Sequence, residues 1–194
     1  MKNMNNRNSH NNTIRYLACG GFSAALFGLN FLLGATLSYA TGIPGLSGLI
    51  TGLTTGFLLA IAWLSLPYFG TATIVFTLYC VLAIPTVLMG PPGIYKVAVG
   101  LFSGLAYDIF ALIIKNKKLH LLAGWTAYTV VILILTYLFF VLLNLPGIEK
   151  FEKMVIFLFA IFLIEGWIGT LFAKWFFNKH LSKLDLIQNL EIKS

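Results

Sequence analysis

Six apolar runs, each about as long as a bilayer is thick, dominate this chain of 194 residues. They lie at roughly Tyr16–Leu37, Pro44–Leu66, Phe69–Met89, Ile94–Ile114, Leu121–Leu143 and Met154–Phe177. A helix needs about 20 apolar residues to cross a hydrocarbon core, so each run is long enough. The runs are continuously apolar, whereas barrel strands would alternate apolar with polar residues. Composition agrees: 10% of the chain is charged, against about 25% in soluble domains, and mean hydropathy is +0.90. The sequence therefore predicts an all-α integral membrane protein, a six-transmembrane-helix bundle over residues 14–177. Residues 1–13, polar and Asn-rich, read as a disordered cytoplasmic tail. Residues 178–194, with Leu and Ile recurring beside lysines, read as a short amphipathic cytoplasmic tail.

The charge distribution gives the direction. With the N-terminus inside, ten of the thirteen Lys and Arg fall on the inner side, and only Lys96, Lys150 and Lys153 fall outside. The positive-inside rule then puts both termini in the cytoplasm of a multi-pass cell-membrane protein. The formal charge of +7 thus reflects orientation in the lipid bilayer, not nucleic-acid binding. The outer connections carry Gly and Pro, at Gly42–Ile43–Pro44–Gly45, Gly90–Pro91–Pro92–Gly93 and Pro146–Gly147. Such residues set fixed turns, which form either a mouth over the bundle or simply tight connections. Cys19 and Cys80 fall inside apolar helices and read as small buried hydrophobes.

Only two acids lie within the spans, Asp108 and Glu165. A charged residue at mid-bilayer costs roughly 2.5–3.5 kcal/mol on insertion scales, so each needs a reason. Glu165 sits near the middle of the last span. Lys174, nine residues on, falls on the opposite helix face and cannot pair with it. Glu165 is then held neutral by desolvation, hydrogen-bonded to a neighbouring helix, or turned toward a cationic ligand. Asp108 shares a face with Lys115 and reads as a structural or snorkelling pair with it. Gly100, Gly104 and Asp108 recur every fourth residue, a spacing that lets helices pack closely in lipid. Tyr95 and Lys96 follow the Gly90–Gly93 turn, where they either touch a ligand or anchor the interface. Gly20, Ala24 and Gly28 make a smooth stripe on the first helix, facing either the bundle or another membrane protein.

Enzyme signals are poor. His10, His120 and His180 lie outside the spans without metal-ligand spacing, and no nucleotide-binding or nucleophile-elbow motif appears. The sequence gives no reason to expect catalysis, a cofactor or a metal.

The segments Gly42–Ile43–Pro44–Gly45, Leu88–Met89–Gly90–Pro91–Pro92–Gly93 and Val99–Gly100–Leu101–Phe102–Ser103–Gly104 complete a pattern. Together with six helices, cytoplasmic ends and small residues on helix one, the chain resembles the substrate-binding S components of energy-coupling factor (ECF) transporters. The resemblance covers nearly the whole chain. It implies a vitamin or related micronutrient bound in a pocket open to the outside, under the first outer loop. It also implies a membrane scaffold subunit and cytoplasmic ATPases as partners. The family's Ala-x-x-x-Ala motif meets that scaffold; here Gly20, Ala24 and Gly28 occupy the place, with Gly for one Ala of each pair. On this reading Glu165 contacts the substrate, Tyr39, Tyr79, Tyr95 and Tyr137 stack on its ring, and Lys96 lies nearby. An acid without a protein cation favours a cationic or amine-bearing substrate, such as thiamine or its pyrimidine precursor. The alternative is a non-catalytic membrane assembly subunit in which Glu165 is structural.

Overall fold

The computed structural model describes residues 2–36, 40, 48–116, 119–145 and 148–181. The described residues form helices without strands: α1 (Lys2–Asn30, continued by a π-helical turn Phe31–Ala35), α2 (Gly48–Ser65), α3 (Thr71–Ala83), α4 (Tyr95–Ile113), α5 (His120–Leu142) and α6 (Ile148–Phe176, ending in a second π-helical turn Phe177–Leu181). Four stretches are long and apolar enough to cross a membrane: Thr13–Gly34, Tyr95–Ile113, His120–Leu142 and Phe151–Leu181. Thr51–Ser65 and Thr71–Ala83 are apolar but shorter. Large apolar side chains such as Leu32, Ile113 and Ile156 stand exposed around the outside, as lipid-facing residues do. The fold is that of an all-helical membrane protein.

Helix ends depart from the apolar runs for identifiable reasons. The third run extends to Met89, but α3 stops at Ala83, with Ile84 still helical as its C-cap, because Pro85 has no N–H to continue the hydrogen-bond ladder. A turn follows in which Met89 and Gly90 both have positive φ, 60° and 109°. The sixth helix starts earlier than its run, at Ile148, and so takes in Glu149, Glu152 and Lys153, which the sequence places in a loop. Glu149 lies in its first turn, where the helix dipole favours an acid. At the other end of the chain, the backbone of the Asn-rich segment read as a disordered tail continues α1 back to Lys2. Adding residues to a formed helix is far easier than nucleating one. The proposed C-terminal amphipathic segment beyond Leu181 lies outside the described residues.

The two ionisable groups buried in α4 explain how the short α3 is held. The N-cap of α3 is Gly70, which has no side chain to cap the first turn. Asp108 supplies one from α4: its carboxylate accepts from Ala72 N (3.1 Å), Thr73 N (2.9 Å) and Thr73 Oγ1 (2.7 Å). At the opposite end, Lys96 Nζ donates to Ala83 O (3.0 Å) and Thr86 O (2.6 Å). Acid at the N-terminus and base at the C-terminus is the arrangement the helix dipole favours. Both side chains are fully buried. Asp108 thus finds its partners on α3, and the expected reach back from Lys115 is not what satisfies it.

Between these charges, Gly100 and Gly104 bring the two backbones together. A Cβ at Gly104 would stand 2.6 Å from Thr73 Cα, and one at Gly100 2.7 Å from Cys80 Sγ. The four-residue spacing therefore acts in packing. A second glycine contact joins α2 to α6, where a Cβ at Gly56 would lie 2.5 Å from Gly166 O, and Gly169 abuts Leu53 O. The first helix attaches through one face: Cys19, Ser23, Leu26 and Asn30 are buried. Ser23 Oγ lies 2.8 Å from Val75 O, and Arg15 Nη2 donates to Phe69 O (2.7 Å).

Asp108→Ala should lower stability by about 2 kcal/mol, as loss of a charged cap does. Gly104→Ala should lower it by about 1–3 kcal/mol through overpacking against backbone. Unfolding of the purified protein in detergent measures both; a pair of near-neutral values would remove α3–α4 docking as a source of stability.

Candidate ligand-binding cavity

Position along the chain puts the cavity at one end of the bundle. It is lined from the start of α2 (Thr51, Thr55), the end of α3 (Phe76, Tyr79), the turn residue Met89, the later part of α5, and the first half of α6. This is the end that carries the Gly90 and Asn144 turns. On α5, Tyr128, Ile132, Thr136 and Phe140 recur every fourth residue and line it as one stripe. On α6, Phe151, Leu158 and Phe162 follow spacings of seven and four, again one helix face. The cavity they bound has a volume of about 80 Å³ and is partly open to the outside.

Aromatic rings make most of the wall. Phe76 meets Tyr128 edge-on, with centroids 4.7 Å apart, and lies 5.1 Å from Tyr79. Tyr128 stacks on Trp125 at 4.9 Å, and Phe140 on Phe151 at 5.2 Å. Trp125 is itself fixed: its indole covers Gly166 and Nε1 donates to Leu163 O (3.2 Å). Among the described residues, no charged side chain lines the cavity. The buried Lys96 and Asp108 are occupied at the ends of α3.

Polar groups cluster on the α1–α2 side. Asn30, 1% exposed, donates from Nδ2 to Thr55 Oγ1 (3.0 Å) and to Tyr79 Oη (3.5 Å). Its Oδ1 accepts from Thr54 Oγ1 (2.5 Å). A buried amide must be paired to be tolerated, and Asn30 answers by tying two cavity residues, Thr55 and Tyr79, to α1. The π-helical turn begins at the next residue, Phe31.

Glu165 lies three residues beyond Phe162 on the same face of α6, one turn deeper than the cavity lining. A Cβ at Gly52 would meet its Oε2 at 2.6 Å and the Phe162 ring at 3.0 Å, so only glycine leaves room for the carboxyl. Oε2 is buried without a hydrogen-bond partner.

The residues singled out in the sequence occupy different places. Tyr79 lines the cavity. Glu165 stands behind its wall. Tyr95 is buried at the Gly90 turn, where Oη donates to Pro91 O (2.9 Å) and the ring packs on Phe139. Lys96 is engaged with α3. Tyr137 is exposed on α5 with Oη 3.1 Å from Glu152 Oε1, and Tyr39 lies outside the described residues. On α1, Ala24 is exposed, and side chains added at Gly20, Gly21 or Gly28 would meet nothing within 4 Å. Cys19 and Cys80 are buried free thiols. Among the described residues, no three His, Cys, Asp or Glu side chains converge as a metal-ligand set. Sequence reasoning missed Asn30, Thr55, Phe76 and Tyr128. For Asn30 the signal was an amide in an apolar span; for α2 it was Gly52-x-x-x-Gly56, a close-packing spacing.

Comparison with protein-family models, curated proteins and solved structures finds no match for this chain.

Asn30→Leu should cost about 1–3 kcal/mol of stability, because it removes the amide partner of the Thr55 and Tyr79 hydroxyls in the interior. Thermal unfolding in detergent measures it; an unchanged midpoint would mean that the network relaxes without the amide.

Proposed function

We propose that this chain captures a small neutral or cationic molecule in the aromatic cavity, as the substrate-binding subunit of an ECF-type micronutrient uptake transporter. The observation that carries the reading is the cavity itself, walled by rings and hydroxyls, free of charged side chains among the described residues, and backed by Glu165, whose carboxyl faces the backbone of Gly52 and Leu53 and keeps Oε2 without a partner. Enclosed apolar sites with a few placed polar groups are how proteins take up small organic ligands. Aromatic walls suit a flat ring, and suit a cation better than an anion. A vitamin or precursor with a positively charged or amine-bearing ring, such as one related to thiamine, fits this chemistry.

In this reading the six helices all cross the cell membrane, with both termini cytoplasmic. The shorter α2 and α3 are complete crossings with the turns beside them, and the Lys and Arg distribution supports the orientation. The cavity then opens toward the outside. The chain has no nucleotide-binding motif, so energy would come from a membrane scaffold and cytoplasmic ATPases. The open face of α1 supports such a partner. Its opposite face is bonded into the bundle, while Gly20, Ala24 and Gly28 leave space for another helix to approach closely. The same face also favours a second reading, a membrane assembly subunit that binds no small molecule.

Mass spectrometry of the detergent-purified protein separates the two: a co-purifying small molecule supports capture, and repeated absence from protein produced in rich medium favours assembly. Glu165→Gln should weaken binding of that molecule about ten- to a hundred-fold, the loss of one charge-assisted contact worth about 1.5–3 kcal/mol. Unchanged affinity with lowered stability would assign Glu165 a structural role.

Ala24→Leu should abolish uptake in cells carrying a matching energising module while leaving binding by the isolated subunit intact. Loss of both together would reject α1 as a docking face.

A further inference from the structure

Tyr128 is completely buried, its ring lines the cavity, and its hydroxyl has no hydrogen-bond partner. Among the buried polar side-chain atoms left unpartnered in the described residues, it is the one whose residue lines the cavity. Packing holds the ring in place, edge-on to Phe76 at 4.7 Å and stacked on Trp125 at 4.9 Å. The neighbouring hydroxyl of Tyr79 is held by Asn30 at 3.5 Å. Phenylalanine would fill the same volume without burying a phenol oxygen, and a buried tyrosine hydroxyl ordinarily has a partner. The residue borders the cavity, so a molecule seated there is a candidate for that partner.

Charge narrows the class further. A carboxylate or phosphate inside would be buried without a counter-charge, since Lys96 is engaged with Ala83 O and Thr86 O. Glu165, one turn beyond Phe162, would repel it. Burial of an unpaired charge is among the most unfavourable events in an apolar interior.

Resting on the capture reading above, we propose that Tyr128 is its specificity-determining residue: the ligand is a planar ring that presents a hydrogen-bond acceptor to the Tyr128 hydroxyl and carries no acid group. A ring nitrogen of a heteroaromatic compound meets this description. A site built to bond such an atom rejects the isosteric ring that lacks it, because the hydroxyl is then left unpaired.

Three probes of one size separate these features: 3-pyridinemethanol (acceptor, neutral), benzyl alcohol (no ring acceptor) and nicotinate (acceptor, anionic). Each is titrated calorimetrically into the full-length protein in detergent. The expected result is that 3-pyridinemethanol binds about tenfold tighter than benzyl alcohol, and at least about tenfold tighter than nicotinate. In Tyr128→Phe the first ratio should fall to near one, and a cooperative thermal unfolding transition in detergent shows that the variant is folded. A wild-type ratio near one, or a ratio that survives Tyr128→Phe, overturns the role of Tyr128 and leaves the hydroxyl to water, with capture intact. Nicotinate binding as tightly as 3-pyridinemethanol overturns the exclusion of acids. Failure of all three probes to bind overturns this inference, while the capture reading falls only if no small molecule co-purifies with the protein.

Discussion

Two side chains on one helix, Asp108 and Lys96, hold the two ends of another, and the lengths match. Twelve residues separate them along α4, a rise of about 18 Å, while the thirteen residues of α3 extend about 20 Å. A helix this short leaves a large share of its backbone groups without intrahelical partners, and in an apolar surround those groups cannot turn to water. Asp108 satisfies donors at one end, and Lys96 satisfies carbonyls at the other. Each charge is in turn stabilised by the helix end it faces. Removing a single member would leave both a bare helix end and the remaining buried charge, so the pair acts as one unit.

This arrangement has an electrical consequence for the cavity. The end of α3 that Lys96 holds leads into the turn that carries Met89, one of the cavity's lining residues. Tyr95 fastens the same turn through Pro91 O. The lysine therefore shapes the cavity wall from behind while its charge is absorbed by carbonyls. On the other side, α2 presents Gly52 and Gly56 to α6 and, one residue earlier in each turn, Thr51 and Thr55 to the cavity. Close backbone contact on one face sets the distance at which the hydroxyls on the next face stand. What remains in the middle is a space lined by rings and hydroxyls, with Glu165 at its edge, set against the backbone of Gly52 and Leu53.

The sequence made much of the scaffold legible and little of the cavity. Long apolar runs announce helices because a bilayer-length stretch has few other folded uses, and the Gly100–Gly104 spacing carried its packing role openly. Helix α3 was overextended to Met89 because hydropathy continues past the helix, whereas Pro85 acts on backbone hydrogen bonding. Lys96 and Asp108 were visible as charges, but their partners are main-chain atoms, which no sequence pattern displays. Phe76, Tyr128 and Phe140 were illegible as cavity residues for a related reason. Periodicity tells which face of a helix turns inward, and a ring beside a cavity has the same periodicity as a ring packed against another ring.

Asn30 joins features that otherwise stand apart. One face of α1 is bonded to the bundle at three levels, through Arg15, Ser23 and Asn30, spaced eight and seven residues apart and so on one stripe. The lower two levels grip main-chain carbonyls of Phe69 and Val75, which belong to the turn before α3 and to α3 itself. The third grips side chains, Thr55 and Tyr79, that line the cavity. Side chains change rotamer far more readily than a helix backbone changes path, so this upper attachment is the one that cavity contents can alter. The π-helical turn that starts at Phe31 widens the helix just beyond it, and such turns recur where helices serve a function. If ligand displaces the Tyr79 hydroxyl, α1 loses a tether at Asn30 while Arg15 and Ser23 stay fixed to the start of α3. The small-residue face of Gly20, Ala24 and Gly28 would then remain presented in one orientation, whatever the cavity holds, and the response to occupancy would be confined to the helix beyond Asn30.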